Sequence, residues 1–276
     1  MPLAANVMPY TRPIEVPANT TEPDVPVTLT VYDRGETSAV PRWYFQGLGS
    51  EFLTKWGTLI DELGDERERH TGFDPRGIGG STGFPESFDQ VVDDAARVLD
   101  ELEIDEAQIF GHSLGGVFAM QFATHHPDRT HSLVVADSLP EPNDHLREQA
   151  TKRLALLSKA HNQEFIERVS RFAFSEAFRA DNPELVDSYA KALARQDPGI
   201  YARYCTLGIS TSVELDYPGP KLFMAGSSDR TTPPEAVRAV AESVGGQFIE
   251  IPDAGHNPPL EQPKLVAEAL QAFTRS

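Results

Sequence analysis

Short apolar runs alternate with segments of helical periodicity along most of the 276-residue chain. The runs lie between polar or turn-forming stretches, as buried parallel strands do. The predicted strands cover residues 12–16, 27–32, 40–45, 69–73, 107–110, 132–136, 221–225 and 247–251. Apolar residues at helical spacing predict helices over residues 53–63, 91–102, 117–124, 237–244 and 265–273. This alternation predicts an α/β fold with a mostly parallel central sheet and helices on both faces.

The alternation of strands and helices stops in the middle of the chain. From residue 143 to residue 215 the pattern is helical throughout, with breaks centred on prolines. Three or four amphipathic helices are predicted in this segment, and the strand pattern then resumes. We therefore expect a core made of residues 1–142 and 216–276, with a helical cap inserted at residues 143–215.

Composition and charge narrow the classes of protein. No apolar run is long enough to span a bilayer, and the N-terminus has no basic segment followed by an apolar stretch, so no signal peptide is expected. Cys205 is the only cysteine, which excludes an intramolecular disulfide and disfavours a cysteine metal site. The formal net charge of −18 argues against nucleic acid as a partner. We expect a soluble, cytoplasmic protein with no membrane partner.

The strongest chemical motif is Gly111-His112-Ser113-Leu114-Gly115, which has the form Gly-x-Ser-x-Gly. A predicted strand precedes it and a predicted helix follows it, so the chain must turn sharply at Ser113. Glycines on either side remove side chains that would collide at such a turn. The serine hydroxyl would stand clear of the sheet, and the Leu114 N–H would face a developing oxyanion. The pattern indicates a nucleophile, and the alternative is a plain strand-to-helix turn with a capping serine.

Two other residues follow predicted strands in the way that Ser113 does. Asp229 comes after the strand at residues 221–225, and His256 comes after the strand at residues 247–251. The carboxyl ends of parallel strands share one edge of a sheet, so these side chains can converge. A histidine can take the proton of a serine, and a carboxylate on its other ring nitrogen fixes the tautomer.

Two glycine-rich loops also follow predicted strands. The loop at residues 46–50 can present backbone N–H groups, and beside Ser113 we interpret Leu48 as a second oxyanion donor, although a simple turn explains the same residues. The loop at residues 74–83 is neither a P-loop nor a dinucleotide fingerprint, because Thr82 stands where a third glycine belongs. No cofactor is expected, and no pair of histidines has the spacing of a metal site.

The order of these motifs, serine then acid then histidine, resembles the α/β-hydrolase family. The sequence around Ser113 looks like the nucleophile elbow of that family. Three further stretches look like its Asp-x-Arg-Gly loop, its acid loop and its histidine loop: Asp74-Pro75-Arg76-Gly77, Gly226-Ser227-Ser228-Asp229, and Gly255-His256-Asn257 with Glu261-Gln262-Pro263. The resemblance covers the chain from about Val27 onwards. Many members have His-Gly in the first oxyanion loop, whereas here Gln46 precedes Gly47.

The resemblance implies a serine hydrolase that needs no cofactor. Ser113 would be the nucleophile, His256 the general base and Asp229 the acid that orients it, with an oxyanion hole made by the N–H groups of Leu48 and Leu114. The implied partner is a small or medium ester or lactone with an apolar part under the cap. Hydrolysis of a C–C bond, perhydrolysis and a non-catalytic ligand receptor are the alternatives.

Asp137 is a second candidate for the acid. It also follows a predicted strand, and some members of the family place their acid there. We prefer Asp229 because the histidine loop must follow the acid after the next strand. Among the other histidines, His112 is expected beside or beneath the cavity, whereas His125 and His126 end a helix, where a partial positive charge suits the dipole.

Overall fold

A mostly parallel sheet of eight strands forms the centre of the protein. The computed structural model describes residues 10–35, 40–64, 68–157 and 163–274. The strands are β1 (Tyr10–Val16), β2 (Val27–Gly35), β3 (Arg42–Phe45), β4 (Arg69–Phe73), β5 (Ala107–His112), β6 (Thr130–Ala136), β7 (Lys221–Gly226) and β8 (Gln247–Ile251). Their order in the sheet is β1-β2-β4-β3-β5-β6-β7-β8. Strand β2 pairs antiparallel with β1 and β4, and all other neighbours are parallel. The predicted fold class is confirmed.

Helices cover both faces of this sheet. They are α1 (Phe52–Leu63), α2 (Phe88–Glu101), α3 (Leu114–His125), α4 (Asp144–Leu157), α5 (Gln163–Ala173), α6 (Glu176–Asp181), α7 (Pro183–Arg195), α8 (Pro198–Ser210), α9 (Pro234–Ser243), α10 (Pro258–Glu261) and α11 (Pro263–Thr274), with one 3-10 turn at Pro127–Arg129. None of these described helices has both the length and the apolar character that a membrane span requires.

Alternate side chains of the central strands enter two different cores. Phe110 and Val134 pack with residues of α1 and α11 on one face of the sheet. Their neighbours Ile109 and Val135 pack with residues of α2, α3 and α9 on the other face. Successive side chains of a strand point to opposite faces, and here both faces are covered. This arrangement explains why the runs that predicted these strands are apolar throughout rather than alternating.

The segment between β6 and β7 is helical, in agreement with the sequence pattern. Its described part holds five helices, α4 to α8, where three or four were predicted. The additional helix is α6, whose six residues are too few for a helical period to be recognised. These helices share a core of their own, in which Phe165, Leu193 and Tyr201 are buried. The boundaries of a separate cap at residues 143 and 215 stay a prediction.

Candidate active site

Ser113 occupies the sharp turn between β5 and α3. Its backbone has φ of 54° and ψ of −123°, a conformation that L residues rarely adopt. The turn is tight, because an added Cβ on Gly111 would lie 2.1 Å from the Gly115 carbonyl oxygen, and one on Gly115 would lie 2.1 Å from the Phe45 carbonyl oxygen. The Ser113 N–H donates to the Ala136 carbonyl at 2.9 Å. The elbow is therefore held against the ends of both neighbouring strands.

His256 lies between Ser113 and Asp229. Its Nε2 is 2.9 Å from the Ser113 Oγ, and its Nδ1 is 2.8 Å from the Asp229 Oδ2. Because a carboxylate accepts at Nδ1, the neutral imidazole carries its proton there and presents the Nε2 lone pair to the hydroxyl. The structure thus brings the three residues together, from loops at the carboxyl ends of β5, β7 and β8, in the order that proton transfer requires. Their catalytic roles stay a prediction.

The carboxylate of Asp229 is buried but well supplied with hydrogen bonds. The Thr231 N–H donates to its Oδ1 at 2.7 Å, and the Thr232 hydroxyl donates to its Oδ2 at 2.6 Å. Burial acts to raise the pKa of Asp229, but the facing His256 and these hydrogen bonds outweigh burial and lower the pKa below its ordinary value. Asp229 therefore stays ionised beside the imidazole.

Asp137, the second candidate acid, is also close to this group. Carboxylate oxygens of Asp137 and Asp229 and a ring nitrogen of His256 all lie within 4.8 Å of one another. The Asp137 Oδ1 accepts the Gly226 N–H at 2.9 Å. Burial and the neighbouring Asp229 raise the pKa of Asp137 well above its usual range, which favours its neutral form. Three such groups could ligate a metal, which would replace the hydrogen bond between the His256 Nδ1 and Asp229.

Leu48 and Leu114 line one cavity together with Ser113. The Leu114 N–H opens α3 and has no acceptor within the helix. Within the described residues, the Leu48 N–H makes no hydrogen bond to another group. Gln46 anchors this loop, because its Nε2 donates to the Phe73 carbonyl at 2.8 Å and so ties the end of β3 to the end of β4. Both backbone donors are available, and their role as an oxyanion hole stays a prediction.

Two buried basic residues that support the histidine loop lie beneath the elbow. The His112 Nε2 donates to the His256 carbonyl at 2.5 Å. Burial, with the charges of Lys55 and His256, lowers the pKa of His112 well below its ordinary value, so this ring is neutral. Lys55 of α1 donates from Nζ to the Asn257 Oδ1, and burial lowers the pKa of Lys55 to about 7. The spacing of apolar residues in α1 does not indicate that Lys55 is buried.

Glu261 fixes the same loop from the other side. Its carboxylate accepts the N–H groups of Ser175 and Gly255 at 2.9 Å and that of Asn257 at 3.1 Å. Glu261 belongs to the stretch that resembles the histidine loop of the family, but its contacts with the Ser175 region could not be read from that resemblance. The position of the imidazole therefore depends on a buried carboxylate as well as on its own strand.

The cavity that begins at Ser113 extends between the elbow and helices α4 and α8. It holds about 680 Å³ of space, counting its open mouth. Its wall is mostly apolar, with Val117, Leu139, Leu146 and Ile209 among the lining residues. A mostly apolar cleft with a few polar groups beside the serine suits a small organic molecule.

The fold is that of a known class of protein. Residues 26–269 match the alpha/beta hydrolase family, and the chain belongs to that family. It is 27% identical over 208 residues to 3-oxoadipate enol-lactonase 2 of Acinetobacter baylyi, covering 74% of this chain and 77% of that protein. It is 24% identical over 219 residues to RutD of Variovorax paradoxus, provisionally named a carbamate hydrolase, covering 76% and 82%. A thermophilic esterase from Thermogutta terrifontis superposes with a TM-score of 0.81 at 25% identity, covering 96% and 98%.

Proposed function

We propose that the protein is a serine hydrolase that cleaves a small or medium carboxylic ester or lactone through an acyl-enzyme on Ser113. The observation that carries the proposal is the continuous hydrogen-bonded chain from the Ser113 Oγ through His256 to Asp229, with distances of 2.9 and 2.8 Å. A serine hydroxyl is a weak nucleophile without a base, and this chain supplies one. The names of similar proteins, an enol-lactonase and an esterase, support attack at an acyl carbon.

The reaction proceeds in two halves. As the Ser113 Oγ attacks the acyl carbon, His256 takes the hydroxyl proton and Asp229 stabilises the imidazolium. The N–H groups of Leu48 and Leu114 stabilise the negative oxygen of the tetrahedral intermediate. His256 then gives its proton to the leaving oxygen, and the acyl group stays on Ser113. A water molecule attacks that acyl group with His256 as the base, which releases the acid and restores the serine.

Residues 143–215 act in this proposal as a cap over the substrate. Helices α4 and α8, which belong to this segment, supply the wall of the cavity that faces the elbow. The cap therefore sets the shape of the acyl or alcohol group that is accepted, whereas the loops of the sheet perform the chemistry.

Hydrolysis of 4-nitrophenyl butyrate and labelling by a fluorophosphonate test the proposal. Ser113→Ala is expected to lose both, because among the described residues only the Ser113 hydroxyl lies within hydrogen-bond distance of the His256 Nε2. Ser170→Ala is the matched control, since Ser170 is a buried serine of α5 outside the lining of this cavity and should leave both nearly unchanged. Labelling that persists in Ser113→Ala would contradict the assignment. Tight ligand binding with no Ser113-dependent turnover would favour the receptor alternative.

A carbamate is the second candidate substrate, because the similarity to RutD points to that bond. The same serine would attack a carbamate carbonyl, with an amine or alcohol as the leaving group. A panel of matched esters, lactones, carbamates and diketones, run with wild type and Ser113→Ala, separates these bonds. A larger kcat/KM for the carbamates than for the esters would assign carbamate hydrolysis. Consumption of the diketone alone would assign C–C cleavage.

A further inference from the structure

One positively charged side chain faces the cavity at Ser113. Arg153 lies on α4, is half-buried and, among the described residues that line this cavity, is the only cation. Helix geometry explains its placement, since Leu146, Gln149 and Ala150 lie on the same face of α4 and line the cavity too. The Arg153 side chain therefore forms part of the wall around the space in which the substrate would lie.

Arg153 has no counter-charge within the part of the chain that the structure describes. No described carboxylate lies within 4.0 Å of its guanidinium, and its Nε makes no hydrogen bond to a described group. The Arg153 guanidinium donates a hydrogen bond to the Tyr201 hydroxyl and lies near the Cys205 thiol, but burial raises the pKa of both groups. Both are therefore neutral near pH 7 and cannot neutralise the arginine.

The other polar groups of this wall are arranged to suit an anion. Asp137 is the one carboxyl among the described lining residues, and burial with the adjacent Asp229 raises its pKa and favours its neutral form. Gln149, one helical turn from Arg153, accepts an N–H of Arg168 at its Oε1, with a distance of 2.6 Å. This contact fixes the orientation of the amide and leaves its N–H₂ group as a second donor beside the guanidinium.

We infer that Arg153 is a specificity-determining residue that binds a carboxylate carried by the substrate, away from the acyl group that Ser113 attacks. This inference rests on the proposed function and narrows its substrate class to esters or lactones that bear a negative charge. A guanidinium on an apolar wall is poorly compensated, and a carboxylate would offer it two charge-assisted hydrogen bonds. Because the net charge of −18 repels anions at long range, recognition of such a substrate requires a local cation.

Two 4-nitrophenyl esters with one leaving group test the inference. The hydrogen adipate ester carries the carboxylate, and the 6-methylheptanoate ester has an isopropyl group in its place. Arg153→Met is expected to lower kcat/KM for the adipate ester about 10- to 100-fold, mainly through KM, and to change the neutral ester less than about twofold. The kcat/KM of Arg153→Lys for the adipate ester should fall between those of wild type and Arg153→Met, since lysine keeps the charge but loses the bidentate geometry. Lys152→Met, which removes an exposed charge from the same helix, should change neither rate.

The outcomes separate this inference from the proposed function. Equal loss on both esters in Arg153→Met, or no loss on either, would overturn the role of Arg153 while hydrolysis at Ser113 stands. If neither ester shows Ser113-dependent hydrolysis, the proposed function fails instead, and calorimetric titration of adipate into Ser113→Ala decides on the anion site. An adipate Kd raised about tenfold or more by adding Arg153→Met supports the site, and no binding overturns it. Arg153→Gln replaces the Met variant if circular dichroism shows that the latter does not fold.

Discussion

The buried amine of Lys55 should produce a pH-dependent difference in stability. Lys55 is 1% exposed, its Nζ bonds to the Asn257 Oδ1, and it lies 5.6 Å from the centroid of the Trp56 ring. Burial lowers its pKa from 10.5 to about 7, against the opposing effects of Asp137 and Glu261. At about 1.36 kcal/mol for each pH unit, this fall corresponds to about 5 kcal/mol by which the fold disfavours the protonated amine.

The sign of the pH dependence follows from the protons bound in each state. Above about pH 7 the folded protein holds a neutral Lys55, whereas the unfolded chain keeps the ammonium up to about pH 10.4. The unfolded state binds the additional proton in this window, so the free energy of unfolding rises with pH. Lys55 is still half protonated at pH 7, so relative to Lys55→Met the wild-type protein should gain about 2 kcal/mol of stability between pH 7 and pH 9, and nothing below about pH 6.

Urea unfolding of both proteins at pH 6, 7, 8 and 9, followed by circular dichroism, measures this difference. Groups remote from Lys55 titrate alike in the two proteins and cancel in the comparison. Lys191→Met is the matched control, because Lys191 is exposed on α7, and its difference from wild type should stay flat. Parallel curves for wild type and Lys55→Met between pH 7 and pH 9 would refute the reasoning, since Lys55 would then stay charged in the folded protein.

Three other substitutions test the catalytic and structural roles of buried carboxylates. Asp229→Asn should lower kcat on 4-nitrophenyl butyrate about 10³- to 10⁴-fold, because the amide cannot hold the required tautomer of His256, and an unchanged kcat would contradict the role of Asp229. Asp94→Leu should lower the free energy of unfolding in urea by about 3–5 kcal/mol. Buried Arg76 donates to Asp94 at 2.7 and 2.9 Å, and the substitution would leave its charge without this partner. A loss below about 1 kcal/mol would show that Arg76 finds other compensation. Glu261→Gln should destabilise by about 1–3 kcal/mol in the same assay, because an amide N–H₂ would face backbone N–H donors, and wild-type stability would contradict that contact.

The elbow and the strands around it could be predicted because their residue types have few alternatives. The turn at Ser113 admits only glycine at the two positions where an added Cβ would meet a carbonyl oxygen at 2.1 Å. Strands covered on both faces require continuous apolar runs, and such runs are visible without any knowledge of their neighbours. Local sequence therefore located the turn and the strands that lead to it.

The supports of the site could not be predicted in this way, because they depend on contacts between distant segments. Lys55 meets Asn257 across 202 positions, and Glu261 meets the N–H of Ser175 across 86 positions. A lysine on an amphipathic helix is ordinarily exposed, so only the packing of α1 against α10 shows that this one is not. Helix α6 could not be predicted for the same reason. Its six residues are too few to show a helical period, so their conformation depends on tertiary packing.

The two candidate acids differ in the hydrogen bonds that their own loops provide. Asp137 and Asp229 follow adjacent strands, β6 and β7, so the topology alone brings both near His256. Asp229 accepts the Thr231 N–H two residues later and the Thr232 hydroxyl three residues later, which keeps its carboxylate ionised despite burial. Asp137 has a φ of 49°, and its carboxyl accepts one backbone N–H, from Gly226 of β7, so burial and the neighbouring Asp229 favour its neutral form. An aspartate followed by Thr231 and Thr232 thus carries in its own loop the donors that an ionised partner of an imidazole needs, and this local signal distinguishes the two acids better than their position after a strand.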